Sequence, residues 1–175
     1  IELQEFGTQE FKGIKNFGSL LAPKDIQSFD DGIFSKNNAQ YDLQLKILTS
    51  TYSCVVTNPP YMGGKGMNAE LADFVKNRYP DSKSDLFAVF MERTLALTKQ
   101  NGFMSMINQH SWMFLSSYEK LREKIIKNHK IDTMVHLGAR AFEEIGGEVV
   151  QSVAFVVEKR SVDGLDENRE IRGLR

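Results

Sequence analysis

The stretch Ser53-Cys54-Val55-Val56-Thr57, followed by Asn58-Pro59-Pro60-Tyr61, joins a short apolar run to a turn with two consecutive prolines. The apolar run predicts a buried β-strand, because it is short and ends at turn-forming residues. Each proline fixes its own φ near about −65° and disfavours the helical conformation of the residue before it. The sequence therefore predicts a stiff, extended corner at the carboxyl end of a strand, where open α/β sheets bind their ligands.

The chemistry of this corner suits an amine attached to a flat heterocycle. Such an amine is a poor nucleophile, since its lone pair is delocalised into the ring. The side-chain oxygen of Asn58 can accept one amine hydrogen, and the carbonyl of Pro59, held still by Pro60, can accept the other. Two acceptors favour a tetrahedral nitrogen and stabilise the positive charge that develops during alkyl transfer. Tyr61 offers a face for stacking, worth about 1–3 kcal/mol per base.

Strand and helix patterns alternate along the rest of the chain. They predict helices over 37–48, 69–78, 85–99 and 117–128, and strands over 52–57, 102–108, 131–137 and 149–158. Ser84 is the expected cap of the third helix, and Ser116 with Glu119 is the expected capping box of the fourth. This order predicts an α/β fold: the second half of a doubly wound, mostly parallel sheet with a terminal antiparallel hairpin.

Composition narrows the class of protein. The chain has 175 residues, a formal net charge of −1 and one cysteine. Cys54 lies in the predicted strand, so we expect a small buried side chain and no disulfide, which fits a reducing bacterial cytoplasm. No apolar run is long enough to predict a membrane span. The first residue is Ile1 and not methionine, so we expect a fragment of a longer protein.

Two other patterns give weak signals for ligands. The run Gly63-Gly64-Lys65-Gly66 lacks the spacing of a phosphate-binding loop and predicts only a mobile glycine-rich loop. His110, His129 and His136 share no metal-ligand spacing with one another or with Cys54, so no metal site is predicted.

Longer strings carry a family resemblance. They are NPPYMGGKGMN (58–68), PDSKSDLF (80–87), SWMFLSSYE (111–119) and HLGARAF (136–142). Together they resemble the PglX-like adenine-specific methyltransferases of BREX-type phage-defence systems, and also the methyltransferase part of fused restriction-modification enzymes. The resemblance covers about residues 40–160.

The resemblance implies a function and a set of site residues. It implies the C-terminal part of a Rossmann-like methyltransferase sheet, S-adenosylmethionine as cofactor, and methylation of the exocyclic N6 amine of adenine in double-stranded DNA. The catalytic residues would be Asn58, Pro59, Pro60 and Tyr61. Phe142 would stack on the flipped base opposite Tyr61. Lys65 and Asn68 would be DNA or loop contacts, and Asp85, Leu86 and Phe87 would line the cofactor pocket.

The resemblance also implies an incomplete site. The glycine-rich cofactor turn of this class is not found in the sequence, so the chain alone is expected to be inactive and to bind cofactor weakly. We predict three segments: an irregular lead-in over 1–36, the catalytic-motif half of a methyltransferase domain over 37–160, and a polar tail over 161–175. Expected partners are DNA, other defence-system subunits and, through an exposed edge strand, a second copy of the chain.

Two alternatives stay open at this point. The same corner can hold the amine of an RNA adenine or of a protein glutamine amide. The second alternative is a non-catalytic recognition module, because the cofactor turn is missing.

Overall fold

The computed structural model of the chain describes residues 20, 46–138, 151–160 and 172–174, the last three as backbone only. The chain divides into two compact units, Ile1–Ser50 and Thr51–Arg175. Residues 46–49 are helical and belong to the first unit, and all strands and helices named below belong to the second. The predicted segment boundaries at 36/37 and 160/161 stay predictions.

The described strands form one sheet of five. They are β1 (Tyr52–Thr57), β2 (Thr98–Gln109), β3 (His129–Gly138), β4 (Ser152–Lys159) and β5 (Arg172–Leu174), in the spatial order β1-β2-β4-β3-β5. β1 runs parallel to β2 and β3 runs parallel to β5, whereas β4 is antiparallel to both of its neighbours, β2 and β3. The α/β class and the antiparallel terminal hairpin are confirmed. The mostly parallel sheet is matched only in part, since two of these four pairings are antiparallel.

This strand order brings the ends of several strands together at one edge of the sheet. Because β1, β2 and β3 all point the same way, their carboxyl ends lie at the same edge. β4 begins there, with Ser152 paired to Gln109 on one side and to Gly138 on the other.

Three α-helices accompany the sheet: α1 (Ala69–Arg78), α2 (Leu86–Leu97) and α3 (Glu119–Asn128). α1 has the predicted bounds. Its N-cap is Asn68, whose side chain accepts a hydrogen bond from the Leu71 amide at 2.8 Å. α2 is buried over most of its surface, which explains why its sequence is apolar nearly all round.

The core lies between the sheet and the helices α2 and α3. Met104, Met106 and Asn108 alternate along β2, and their pairing partners on β4 are Val157, Phe155 and Val153, so these six side chains share one face. That face packs on residues of the two helices and of the segment between β2 and α3, namely Phe87, Ala88, Met91, Leu95, Trp112, Tyr118, Leu121 and Ile125. Each fully buried apolar side chain contributes about 1.5–3 kcal/mol.

The start of β2 differs from the prediction. The strand begins at Thr98 and not at Gly102, and α2 ends at Leu97 and not at 99, because residues 99–102 form an irregular bulge of the strand opposite Ser53. Asn101 has a φ of 61°, and the register against β1 shifts between Tyr52 and Cys54. A Cβ on Gly102 would lie 2.8 Å from the Ser53 carbonyl oxygen.

Three other predictions are wrong. Cys54 is exposed, and Val56 is 70% exposed, because β1 is the end strand of the described sheet and not an interior one. The cap of α2 is Asp85 and not Ser84, since the Asp85 side chain accepts from the Phe87 amide. The predicted capping box at Ser116 and Glu119 does not form, because residues 116–118 make a separate 3₁₀ turn before α3.

Candidate active site

The corner after β1 lies at the shared carboxyl edge of the sheet. Thr57, the last residue of β1, pairs with Met106 in β2, and Asn58-Pro59-Pro60-Tyr61 follows directly. Asn58 and Pro60 are exposed, Pro59 is buried and Tyr61 is half-buried. The carboxamide of Asn58 is therefore open to solvent, while the proline next to it anchors the backbone.

Tyr61 is held by aromatic and polar neighbours. The edge of its ring meets the ring of Phe87, with centroids 6.1 Å apart and planes at 80°. Its hydroxyl and that of Ser152 are both buried, and neither has a hydrogen-bond partner of good geometry. Burial raises the pKa of Tyr61, the charge of Asp85 adds to the rise, and the nearby Ser152 hydroxyl opposes it. Tyr61 is therefore a neutral phenol at ordinary pH.

Asp85 ties the corner to the start of α2. Its Oδ1 accepts from the Met62 amide at 2.9 Å and from the Phe87 amide at 3.2 Å. The Leu86 amide in turn donates to the Met62 carbonyl at 3.0 Å. Burial raises the pKa of Asp85, and the backbone hydrogen bonds that the carboxylate accepts oppose the rise.

The other predicted pocket residues, Leu86 and Phe87, are buried in the first turn of α2. Phe87 lies between the rings of Tyr61 and Tyr118, and its centroid is 5.6 Å from that of Tyr118. The two predicted sets, 58–61 and 85–87, thus meet through the rings of Tyr61 and Phe87. A role for 85–87 in holding a cofactor stays a prediction.

The glycine-rich segment after Tyr61 forms a short turn. Gly64–Gly66 is a 3₁₀ turn in which the Gly66 amide donates to the Gly63 carbonyl at 2.8 Å. Lys65, in the middle of the turn, is exposed. Asn68 has a structural task as the cap of α1. Contacts of Lys65 and Asn68 with DNA stay predictions, and Phe142 lies outside the described residues.

Several polar residues at this edge were not predicted. His110 follows β2 and His136 lies near the end of β3, and their ring nitrogens Nδ1 and Nε2 are 2.9 Å apart. Burial lowers the pKa of His110, and the charge of His136 lowers it further. Ser152 and Tyr118 were also missed, and burial raises the pKa of Tyr118 to about 12, with the charge of Asp85 adding to the rise. No sequence spacing could reveal the contact between His110 and His136, because β4 separates β2 from β3 and only the strand order brings the two rings together.

Two kinds of feature are absent from the part of the chain that the structure describes. No group of three or more histidine, cysteine or acidic side chains there could hold a metal ion. In the same part of the chain, no helix is long and apolar enough to cross a membrane.

Comparison with known sequences gives a family match and two similar relatives. Residues 4–142 match the family profile described as Eco57I restriction-modification methylase. The adenine-specific methyltransferase BrxX of Escherichia coli O9:H4 (strain HS) is 57% identical over 117 residues, or 67% of this chain and 10% of that protein. The adenine-specific methyltransferase PglX of Lacticaseibacillus casei (strain Zhang) is 60% identical over 119 residues, or 68% of this chain and 10% of that protein. The chain thus spans about a tenth of the length of these relatives.

Comparison with solved structures supports the fold. A Listeria monocytogenes protein described as a class I S-adenosylmethionine-dependent methyltransferase superposes with a TM-score of 0.52 over 73% of this chain and 38% of that one. The two sequences are 19% identical, so this likeness concerns the fold alone.

Proposed function

Because this chain belongs to the Eco57I restriction-modification methylase family, we propose that it carries the catalytic corner of an adenine-specific DNA methyltransferase. The reaction is transfer of a methyl group to the exocyclic N6 amine of adenine in double-stranded DNA, within phage defence or restriction-modification. The observation that carries the proposal is the open carboxamide of Asn58 on a proline-stiffened turn at the ligand-binding edge of the sheet.

The corner would act on the amine through fixed acceptors. The Asn58 side-chain oxygen accepts one amine hydrogen and the Pro59 carbonyl accepts the other, so the nitrogen lone pair turns away from the ring. Pro59 is buried and the ring of Pro60 restricts the ψ of Pro59, so this carbonyl has little freedom to move. No side chain needs to ionise, and catalysis rests on positioning and on dipoles that are already in place.

The target base would be held by stacking after it leaves the helix. Tyr61 is half-buried and braced edge-on by Phe87, which restricts its ring. Phe142 would close the opposite face of the base, and Lys65, exposed in the adjoining turn, would contact a DNA phosphate.

The cofactor would be S-adenosylmethionine, which supplies an electrophilic methyl group when bound. The described residues fit only one side of such a site. Leu86 and Phe87, buried in the first turn of α2, would line it, and Asp85, whose carboxylate already accepts two amide hydrogens, would hold that turn in place. We therefore infer that the remaining contacts come from other parts of the intact protein, and that the chain alone is inactive.

The same proposal includes the cellular compartment and the partners of the intact protein. The intact protein would work in the bacterial cytoplasm on double-stranded DNA, together with other subunits of a defence system. The chain by itself would pair its edge strand with a second copy.

Replacing Asn58 by alanine in the intact protein tests the proposal. We expect adenine methylation of DNA to fall by about a hundredfold or more, because one of two acceptors for the amine is lost. The measurement is transfer of labelled methyl groups from S-adenosylmethionine to DNA. Asn77→Ala makes the same change at an exposed position in α1 and should leave the rate unchanged.

The same assay distinguishes substrates. DNA, RNA and protein are offered side by side, and we expect label in the adenine of DNA only. Near-normal methylation by Asn58→Ala, or transfer to RNA or to glutamine in preference to DNA, would contradict the proposal.

A further inference from the structure

The segment after the corner lies antiparallel to the segment that opens α2. Gly63 and Asp85 form a bridge, the Gly64 amide donates to the Ser84 carbonyl at 3.2 Å, and the Leu86 amide donates to the Met62 carbonyl at 3.0 Å. Backbone contacts of this kind are usually found within sheets. Here they join the segment after the corner to the start of a helix, between residues 20 to 24 positions apart.

One carboxylate oxygen completes this connection. Asp85 Oδ1 accepts from the Met62 amide at 2.9 Å and from the Phe87 amide at 3.2 Å. Met62 is the residue directly after Tyr61, so its amide belongs to the peptide group that ends the corner. We call these bonds, together with the two backbone bonds above, the Met62–Asp85 clamp.

The helix side of the clamp is a rigid anchor. α2 places Phe87, Ala88, Met91 and Leu95 in the core, and Phe87 itself is fully buried. A corner tied to this helix inherits its fixed position, since packed interiors resist displacement. Tyr61 reaches the same anchor through its ring contact with Phe87.

We propose that Asp85 is a positioning residue of the methyltransferase: it holds the Asn58–Tyr61 corner in its reactive geometry by binding the Met62 amide. The proposal rests on the proposed function. Asp85 acts through the backbone and contacts neither the base nor the transferred group. A misplacement of about 1 Å can cost about a hundredfold in rate, so loss of the clamp would lower kcat more than it raises KM.

A plain helix cap would explain only half of these contacts, and substitutions separate the two roles. Asp85→Asn keeps an oxygen that can accept from both amides. Asp85→Ser keeps a good cap for the Phe87 amide, but its shorter side chain is not expected to reach the Met62 amide as well. Asp81→Ser is the matched control, because it removes a nearby carboxylate that pairs with Lys124 and makes no contact with the corner.

The experiment uses the intact protein and two measurements. In DNA methylation we expect kcat of Asp85→Ser to fall about tenfold to a hundredfold while KM for DNA and for S-adenosylmethionine changes by less than about threefold. Asp85→Asn and Asp81→Ser should stay within about threefold of the unmodified protein. Hydrogen exchange of the amides of residues 61–66 should become at least about tenfold faster in Asp85→Ser alone.

A second variant covers the case in which Asp85→Ser does not fold. Met62→Pro removes the amide that donates to Asp85 Oδ1 and leaves the Asp85 cap of α2 in place. It should also lower kcat and speed exchange of the amides of residues 63–66. Unchanged kcat and unchanged exchange in either folded variant would overturn the proposal.

Failure of the proposed function would look different. In that case the unmodified protein would not methylate DNA at all, whereas the exchange measurement would still report whether Asp85 holds the segment after the corner.

Discussion

At the scale of single residues, the corner combines exposure with restraint. Asn58 is open to solvent, whereas its neighbour Pro59 is buried and the amide of Met62 is bound by Asp85. An acceptor that must meet a substrate needs to be exposed, and an acceptor that must not move needs anchored neighbours. Pro59 and Met62, which follow Asn58 in the chain, provide the anchoring, while Asn58 itself stays exposed.

Gly102 is a second residue whose identity is set by its surroundings. A Cβ there would lie 2.8 Å from the Ser53 carbonyl oxygen, 2.9 Å from that of Lys99 and 3.1 Å from Thr98 Cγ2. We expect Gly102→Ala to destabilise the fold by about 1–3 kcal/mol, because backbone atoms of the bulge must shift. Urea unfolding measures the change.

The matched control for this prediction is Gly64→Ala. No atom lies within 4 Å of a Cβ at Gly64, so its effect should stay within about 0.5 kcal/mol. Equal stability of the two alanine variants would show that the bulge adapts to a side chain.

At the scale of elements, the segment between β2 and α3 is fastened to the sheet by a buried polar pair. The Trp112 Nε1 group donates to Asn108 Oδ1 at 3.1 Å, and the Trp112 ring packs on Phe155 at a centroid distance of 5.2 Å. Arg122 of α3 donates to the carbonyls of Trp112 and Leu115 at 2.7 Å and 2.6 Å. The 3₁₀ turns of this segment therefore connect the sheet to α3.

Trp112→Phe tests this connection. Asn108 is fully buried, so losing its donor leaves an unpaired oxygen, and we expect a loss of about 1–3 kcal/mol of stability besides the smaller packing volume. Thermal unfolding followed by circular dichroism measures it. Phe114→Leu changes an aromatic residue of the same segment that is 65% exposed, and it should change stability by less than about 0.5 kcal/mol. A similar small effect at Trp112 would argue against the polar pair.

At the scale of the whole molecule, the described residues form the carboxyl edge of a sheet and, by the proposal above, one side of a cofactor site. Its strand order places the corner of β1 beside the ends of β2 and β3 and the start of β4. The relatives BrxX and PglX are about ten times longer than the matched region. The region matched here thus corresponds to about a tenth of these relatives.

Calorimetry with S-adenosylmethionine tests the proposal that other parts of the intact protein supply most of the cofactor contacts. We expect the chain alone to bind with a Kd weaker than about 1 mM, or not at all, while the intact protein binds measurably. Micromolar binding by the chain alone would mean that these 175 residues contain the main cofactor contacts, and the proposal would be wrong.

Local pattern was enough to predict most of the elements. The bounds of β1 and α1 agree with the prediction to the residue, because prolines, glycines and caps act over a few neighbouring positions. The end of α2 and the start of β2 were predicted wrongly, at 99 and 102, because only the pairing with β1 shows that the strand already begins at Thr98. Burial of Cys54 was also predicted wrongly, because an apolar run does not reveal whether its strand is central or at the edge.

The sequence by itself determined the stiff corner, since two adjacent prolines stiffen the chain wherever they occur and Asn58 and Tyr61 flank them directly. Only the tertiary structure decided what holds that corner and what surrounds it: the Asp85 oxygen bound to the Met62 amide, the buried Ser152 hydroxyl and the paired rings of His110 and His136. These contacts join residues 23 to 91 positions apart. They depend on strand order and helix packing, which no local pattern encodes.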